Sequence, residues 1–289
     1  MDIIELLKAV LFGIVEGITE WLPISSTGHI ILLNDFLPLH FTTDNFYDLF
    51  EIVIQLGAIL AVIVLFFHKL NPFSPRKTAI EKNRTWSLWF KVIVAVLPSA
   101  VLGLMLDEPL DNWLRGTEVL GTSLNTVVVA LALIVYGVAF ILVERSNRNK
   151  SFRIQEVSRI DYRTALFIGA FQVLSIIPGT SRSGATILGA LLLGVSRSAG
   201  AEFSFFLAIP TMLGASLLKL LLFLKDGASA TATEMGVLIV GCIVSFLVSL
   251  LVIKALMEYV RRHSFASFGI YRIGLGILVL GYFACKAFL

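Results

Sequence analysis

Charge is scarce in this sequence. Of 289 residues, 15% are Asp, Glu, Lys or Arg and 57% are hydrophobic, against about 25% charged in an average soluble domain. A chain this apolar does not dissolve as a globule, so a lipid bilayer is its expected solvent. Cysteine is limited to Cys242 and Cys285. They sit in separate apolar runs and read as free buried thiols, silent on redox compartment. The formal net charge is +3, and no basic block is present, so nucleic acid is not an expected partner. A cleavable leader is also not expected, because Glu5 precedes Lys8 and Glu16 and Glu20 interrupt the first apolar run.

What is present is a series of long apolar runs. A hydrocarbon core needs about 20 residues to cross. Six runs qualify, near 47–68, 87–106, 122–143, 200–224, 235–257 and 267–288. Two more stretches are apolar but broken. The first, 3–38, is interrupted at Pro23-Ile24-Ser25-Ser26-Thr27-Gly28-His29. The second, 162–195, is interrupted at Pro178-Gly179-Thr180-Ser181-Arg182-Ser183-Gly184. Irregular backbone at membrane depth survives only where protein or a wet cavity covers it. Both stretches are therefore expected to be re-entrant hairpins with their tips inside the protein.

The breaks are related to each other. A shift of 156 lays Gly13 on Gly169, Glu16 on Gln172, Thr19 on Ser175, Ser25 on Ser181, Thr27 on Ser183 and Gly28 on Gly184; a shift of 151 lays Glu51 on Glu202. The expected fold is an all-α polytopic membrane protein of two repeats, 1–145 and 146–289, in one membrane domain. Each repeat is a broken hairpin followed by three spans. Three is odd, so the second repeat is expected to be inverted. Loop charge fits this. Lys69, Arg76, Lys77, Lys82, Arg84, Arg145, Arg148, Lys150, Arg153, Arg159, Arg163, Arg197, Arg261 and Arg262 fall on one side. Asp107, Glu108, Asp111, Arg115, Glu118, Lys225 and Asp226 fall on the other. The basic side is expected to be cytoplasmic. Both termini then face outward, and the hairpin tips meet near the midplane, where inverted repeats bind substrate.

Chemistry concentrates at those tips. Glu16 and Glu20 are four residues apart, so one helix face presents both. Ionisable groups in apolar spans are costly and usually functional. A close carboxylate pair suits a divalent cation that partners a diphosphate, or a general base; a wet, chemically idle face is the plainer alternative. Ser25-Ser26-Thr27-Gly28-His29 places three hydroxyls, a glycine and an imidazole in one turn. Hydroxyls and N–H groups at a helix start bind phosphate oxygens, and a serine near a histidine makes a nucleophile–base pair. Small residues packed in a turn are the alternative. His40, His68 and His263 lie at span ends. Arg182 is the one basic residue between Arg163 and Arg197. Its anionic partner is either a structural Glu or a substrate phosphate clamped bidentately. Glu51, Gln55 and Glu202 read as supporting partners of the hairpins, and Lys91, Lys219 and Lys254 as snorkelling. Tyr271-Arg272 opens the last span and faces either headgroups or the site.

On Glu16-Gly17-Ile18-Thr19-Glu20-Trp21-Leu22-Pro23-Ile24-Ser25-Ser26-Thr27-Gly28-His29 and Pro178-Gly179-Thr180-Ser181-Arg182-Ser183-Gly184-Ala185-Thr186, the sequence resembles the undecaprenyl-diphosphate phosphatases, also called bacitracin-resistance phosphatases. The hydrophobic layout agrees over essentially the whole chain. The resemblance implies hydrolysis of undecaprenyl diphosphate to the monophosphate and inorganic phosphate in the bacterial plasma membrane. This recycles the carrier lipid of peptidoglycan synthesis and confers bacitracin resistance. It implies a divalent cation, Mg²⁺ or Ca²⁺, held by Glu16 and Glu20. It implies catalytic roles for Glu20, Ser26, His29 and Arg182, and an active site open to the outer face. Ser25, Thr27, Gly28, Thr180, Ser181, Ser183 and Gly184 are the expected substrate-binding residues. Expected partners are the polyprenyl diphosphate and membrane lipid; a homodimer is left open, as is the nucleophile, which is Ser26, His29 or water. The rival is a lipid-phosphate flippase, since inverted repeats with broken helices are also transporter architecture.

Overall fold

The computed structural model describes residues 3–43, 45–119, 122–225 and 229–287. Asp226 lies outside them, and the side chains of Asp107, Glu108, Asp111, Arg115 and Glu118 lie outside what is described. The described chain is almost wholly helical: α1 Ile3–Thr19, α2 Ser26–Phe36, α3 Phe46–Leu65, α4 Phe67–Leu70, α5 Ala79–Gly116, α6 Leu124–Asn147, α7 Tyr162–Gln172, α8 Arg182–Leu192, α9 Arg197–Lys225, α10 Ala232–Arg262 and α11 Ala266–Ala287. Six of these are long and apolar enough to cross a membrane: α3, Ala79–Leu106 of α5, α6, α9, α10 and Ala266–Lys286 of α11. The chain is an all-α polytopic membrane protein.

The limits of α5 differ most from the hydropathy reading. It starts at Ala79, eight residues before the apolar run, because Thr78 and Glu81 form a capping box. The Glu81 amide donates to Thr78 Oγ1 (3.3 Å) and the Thr78 amide donates to Glu81 Oε2 (2.8 Å). It then runs through Pro98 and Pro109 to Gly116. A proline removes one ladder bond, but Ser99 Oγ donates to the Val96 carbonyl (3.0 Å) in that turn. Two-residue strands, β1 Glu118–Val119 and β2 Thr122–Ser123, pair antiparallel after it. This hairpin delays the start of α6 to Leu124.

Both broken stretches are helix, turn, helix. In the second, α7 tightens into a 3₁₀ turn, Val173–Ile176, before the break. The offset of 156 carries α2 onto α8 end for end, each of 11 residues. Ser25 (φ 72°) and Ser181 (φ 69°) precede the two helices. With Asn45 they are the non-glycine residues of positive φ among the described residues. That left-handed backbone is uncommon for serine, and it re-aims the chain into each half-helix.

Helices associate in lipid through close packing and hydrogen bonds rather than a hydrophobic drive. Glycine decides how close. A Cβ on Gly13 would stand 2.7 Å from the Gly241 carbonyl oxygen, so α1 lies backbone to backbone on α10. Gly169, at the same offset, lies on the Ala95 carbonyl, joining α7 to α5. Each broken stretch thus packs on a long helix from the other half of the chain. Glu144, 4% exposed, fastens the basic side: Arg197 donates to both its oxygens (2.6–3.1 Å) and the Phe265 amide donates to one (2.8 Å).

Candidate active site

The two turns meet. Trp21 is fully buried and stands edge-on to Phe205 of α9 (5.2 Å, 88°), which seats the end of α1 against the second half. Beside it Arg182 begins α8. Its Nη2 donates to Glu20 Oε1 (2.9 Å), its Nη1 donates to the Ser204 carbonyl (2.8 Å), and its guanidinium lies 6.0 Å from the Trp21 ring. Glu20 Oε2 accepts from Ser26 Oγ (3.2 Å). One carboxylate therefore links a hydroxyl from the first turn to a guanidinium from the second. All three groups are largely withdrawn from the surface, and Glu20 is 8% exposed. Charge-assisted bonds in so little water are strong.

Glu16 lies one turn behind, 1% exposed, within the fields of Glu20, Glu51 and Arg182. Its Oε1 is buried and accepts no hydrogen bond; the buried Nε of Arg182 and Oγ of Ser25 are likewise without partners. An unpaired carboxylate oxygen at this depth is expensive. Donor type and burial suit a hard divalent cation. Among the described residues, however, no three His, Cys, Asp or Glu side chains converge on one point. Glu16 and Glu20 supply two carboxylates, and the remaining ligands would come from phosphate oxygens and water.

His29 does not pair with Ser26, as the Ser-x-x-His spacing suggested. It follows one turn later on α2. Its Nδ1 bonds the Ser25 carbonyl oxygen (2.7 Å), and its Nε2 bonds the Tyr271 hydroxyl (2.7 Å). The group in contact with Ser26 is Glu20.

The remaining expected binding residues split in use. Ser181 Oγ caps α8 by accepting from the Gly184 amide (3.1 Å) and bonds Ser183 Oγ (3.1 Å). Ser183 Oγ donates to the Glu20 carbonyl (3.1 Å), so this hydroxyl ties turn to turn. Thr180 is fully buried. Gly28 packs on Leu133, and a Cβ on Gly184 would come within 3.0 Å of Arg272 Nη1. Ser25, Ser26 and Thr27 stand at the start of α2, where the helix dipole favours an anion. Glu202 is engaged elsewhere, with Lys69 (2.7 Å).

Arg272 is the residue that sequence undervalued. It is fully buried, lies 5.5 Å from the Tyr136 ring, and donates to three carbonyls: Pro23 (3.1 Å), Gly179 (2.9 Å) and Thr180 (3.0 Å). It closes both turns onto one another from α11. The one signal available was an arginine at the opening of an apolar span, which fits headgroup contact equally well.

Known proteins resemble this chain over nearly its whole length. Residues 9–278 match the family described as bacitracin resistance protein BacA. The chain belongs to this family. The undecaprenyl-diphosphatase of Streptococcus thermophilus is 56% identical over 284 residues, covering 98% of this chain and 95% of that one. That of Limosilactobacillus fermentum is 53% identical, covering 98% and 99%, and that of Enterococcus faecalis 52%, covering 96% and 97%. The matched segment holds every residue of the two turns and Arg272, so the site belongs to the part shared with the family.

Proposed function

We propose that this protein hydrolyses undecaprenyl diphosphate to undecaprenyl phosphate and inorganic phosphate within the bacterial plasma membrane. By returning the carrier lipid to peptidoglycan synthesis it opposes bacitracin. The observation that carries this reading is Glu20 held between Ser26 Oγ and Arg182 where the two turns meet. Phosphoryl transfer needs a nucleophile, a base and fixed positive charge on the phosphoryl oxygens, and these three supply one each.

In the first step Ser26 Oγ attacks the terminal phosphorus. The Oγ–P bond forms, the bond from phosphorus to the bridging oxygen breaks, and the Ser26 proton passes to Glu20. Undecaprenyl phosphate departs. In the second step water attacks the phosphoserine and gives a proton to His29 Nε2. Ser26 Oγ leaves and recovers its proton from Glu20, inorganic phosphate is freed, and His29 loses its proton to solvent. Arg182 stabilises phosphoryl charge in both steps, with amides at the start of α2. Glu16 and Glu20 would hold the divalent cation, Mg²⁺ or Ca²⁺, which withdraws negative charge from the diphosphate when bound.

Several features favour two inverted repeats, 1–145 and 146–289: the offset of 156, the paired positive-φ serines and the exchanged helix partners. With the basic loops cytoplasmic, both termini and the mouth of the site face outward. The same repeats favour a flippase, but moving an anion does not require a carboxylate poised on a hydroxyl. The test is phosphate release from the C55 diphosphate by purified protein, wild type beside Arg182→Ala, with and without chelator. Cation-dependent release that disappears in Arg182→Ala supports the phosphatase. Absence of release from folded wild type, with transbilayer movement of the monophosphate, supports the flippase.

A further inference from the structure

Tyr271 stands next to Arg272 on α11, 242 residues from His29, and its hydroxyl lies 2.7 Å from His29 Nε2. The other ring nitrogen settles how that bond runs. Nδ1 faces the Ser25 carbonyl oxygen at 2.7 Å, and a carbonyl oxygen only accepts. Nδ1 therefore carries a hydrogen, and in the neutral ring Nε2 presents its lone pair. The Tyr271 hydroxyl donates to that lone pair. The two rings are also parallel to within 4°, with centroids 5.6 Å apart, so the tyrosine fixes the imidazole plane as well as its free nitrogen.

Tyr271 is itself held firmly. It is about half exposed, yet its neighbour Arg272 is fully buried and bonded to three carbonyls of the two turns. The arginine sets the rotation of α11 and with it the place of the tyrosine. A tyrosine serving only an interfacial belt needs neither the bond to Nε2 nor the parallel ring.

We infer that Tyr271 is a positioning residue for the reaction: its hydroxyl holds His29 with Nε2 unprotonated and correctly turned until the attacking water takes its place. This rests on the proton-accepting role given to His29 above. The Ser25 carbonyl fixes one end of the ring and Tyr271 the other, as partners of a functional histidine commonly do.

The test compares Tyr271→Phe, His29→Ala, the double variant and Tyr282→Phe. Tyr282 also joins α11 to α2, donating to Asp35 Oδ2 (2.6 Å), but does not touch the imidazole, so it controls for loosened docking of α11. Tyr271→Phe is expected to lower kcat about tenfold with little change in KM, within the usual range of coupling between contacting groups. The loss should vanish in the His29→Ala background, and Tyr282→Phe should keep wild-type kcat. The second readout needs no turnover: the ¹⁵N resonance of His29 Nε2 should move on Tyr271→Phe, as an accepted hydrogen bond is lost. Wild-type kcat in Tyr271→Phe, equal losses in both backgrounds, equal losses in Tyr282→Phe, or an unmoved Nε2 resonance overturns the inference. Full activity in His29→Ala instead removes His29 from the mechanism, and Tyr271 falls with it.

Discussion

The two broken turns are built alike and used differently. Each enters an 11-residue helix through a serine of positive φ, and each preceding helix rests through a glycine on the other half of the chain. The second turn ties itself to its neighbours through neutral side chains. Ser181 caps Gly184, Ser183 holds the Glu20 carbonyl, and Gln172, where the first turn has Glu16, donates to Ser99 (2.6 Å) and Thr211 (3.2 Å). Both stretches keep buried polar atoms without partners: Glu16 Oε1, Trp21 Nε1 and Ser25 Oγ on the first, Gln172 Oε1, Thr180 Oγ1 and Arg182 Nε on the second. Buried polar atoms are normally satisfied, so exceptions on both sides of the meeting point fit a ligand between the turns. The difference is one of charge: the first stretch brings the carboxylates of Glu16 and Glu20, and the second the guanidinium of Arg182.

Exchanging side chains between the turns tests this division. The largest effect is expected from Glu20→Gln, which keeps the shape but removes the proton acceptor and the charge facing Arg182. Phosphate release at saturating lipid should fall about 10³-fold, within the usual range for general base loss; a fall of less than about threefold breaks the comparison. Glu16→Gln gives the first turn the side chain of the second. It should cost about 10²-fold, as removal of one electrostatic stabiliser does, and weaken the response to added Mg²⁺ or Ca²⁺ in a titration. An unchanged titration assigns the cation elsewhere. Gly169→Ala pushes α7 off Ala95 and should destabilise the fold by about 1–3 kcal/mol, read as a lower midpoint of thermal unfolding in detergent. Smallest is the contrast of the two serines. Ser181→Ala loses a helix cap and about 1 kcal/mol, whereas Ser25→Ala, whose hydroxyl caps nothing, should leave the unfolding midpoint closer to wild type. Equal shifts would mean that the turns are not divided in this way.

Much of this was legible in sequence. Hydropathy located the six spans because each must cover a hydrocarbon core, and the runs Pro23–His29 and Pro178–Gly184 marked both breaks because a proline followed by clustered polar residues interrupts an apolar run. Glu16, Glu20 and Arg182 stood out as charges at membrane depth. The unread parts depend on distance across the fold. Nothing near position 272 says that its guanidinium reaches carbonyls 92 to 249 residues away. Local spacing joined His29 to Ser26, but the serine backbone at φ 72° turns the start of α2 so that Ser26 meets Glu20 and the imidazole meets α11. The first two turns of α5 read as loop in the sequence because they precede the apolar run, and helix start signals are polar.

Ser26, activated by Glu20 and faced by Arg182, is proposed as the group that attacks phosphorus. Phosphate release by Ser26→Ala tests it directly, in matched detergent and beside wild type of the same unfolding midpoint. Loss of about 10⁴-fold or more, as removal of a nucleophile produces, is the expected result; turnover within a few-fold of wild type would contradict it.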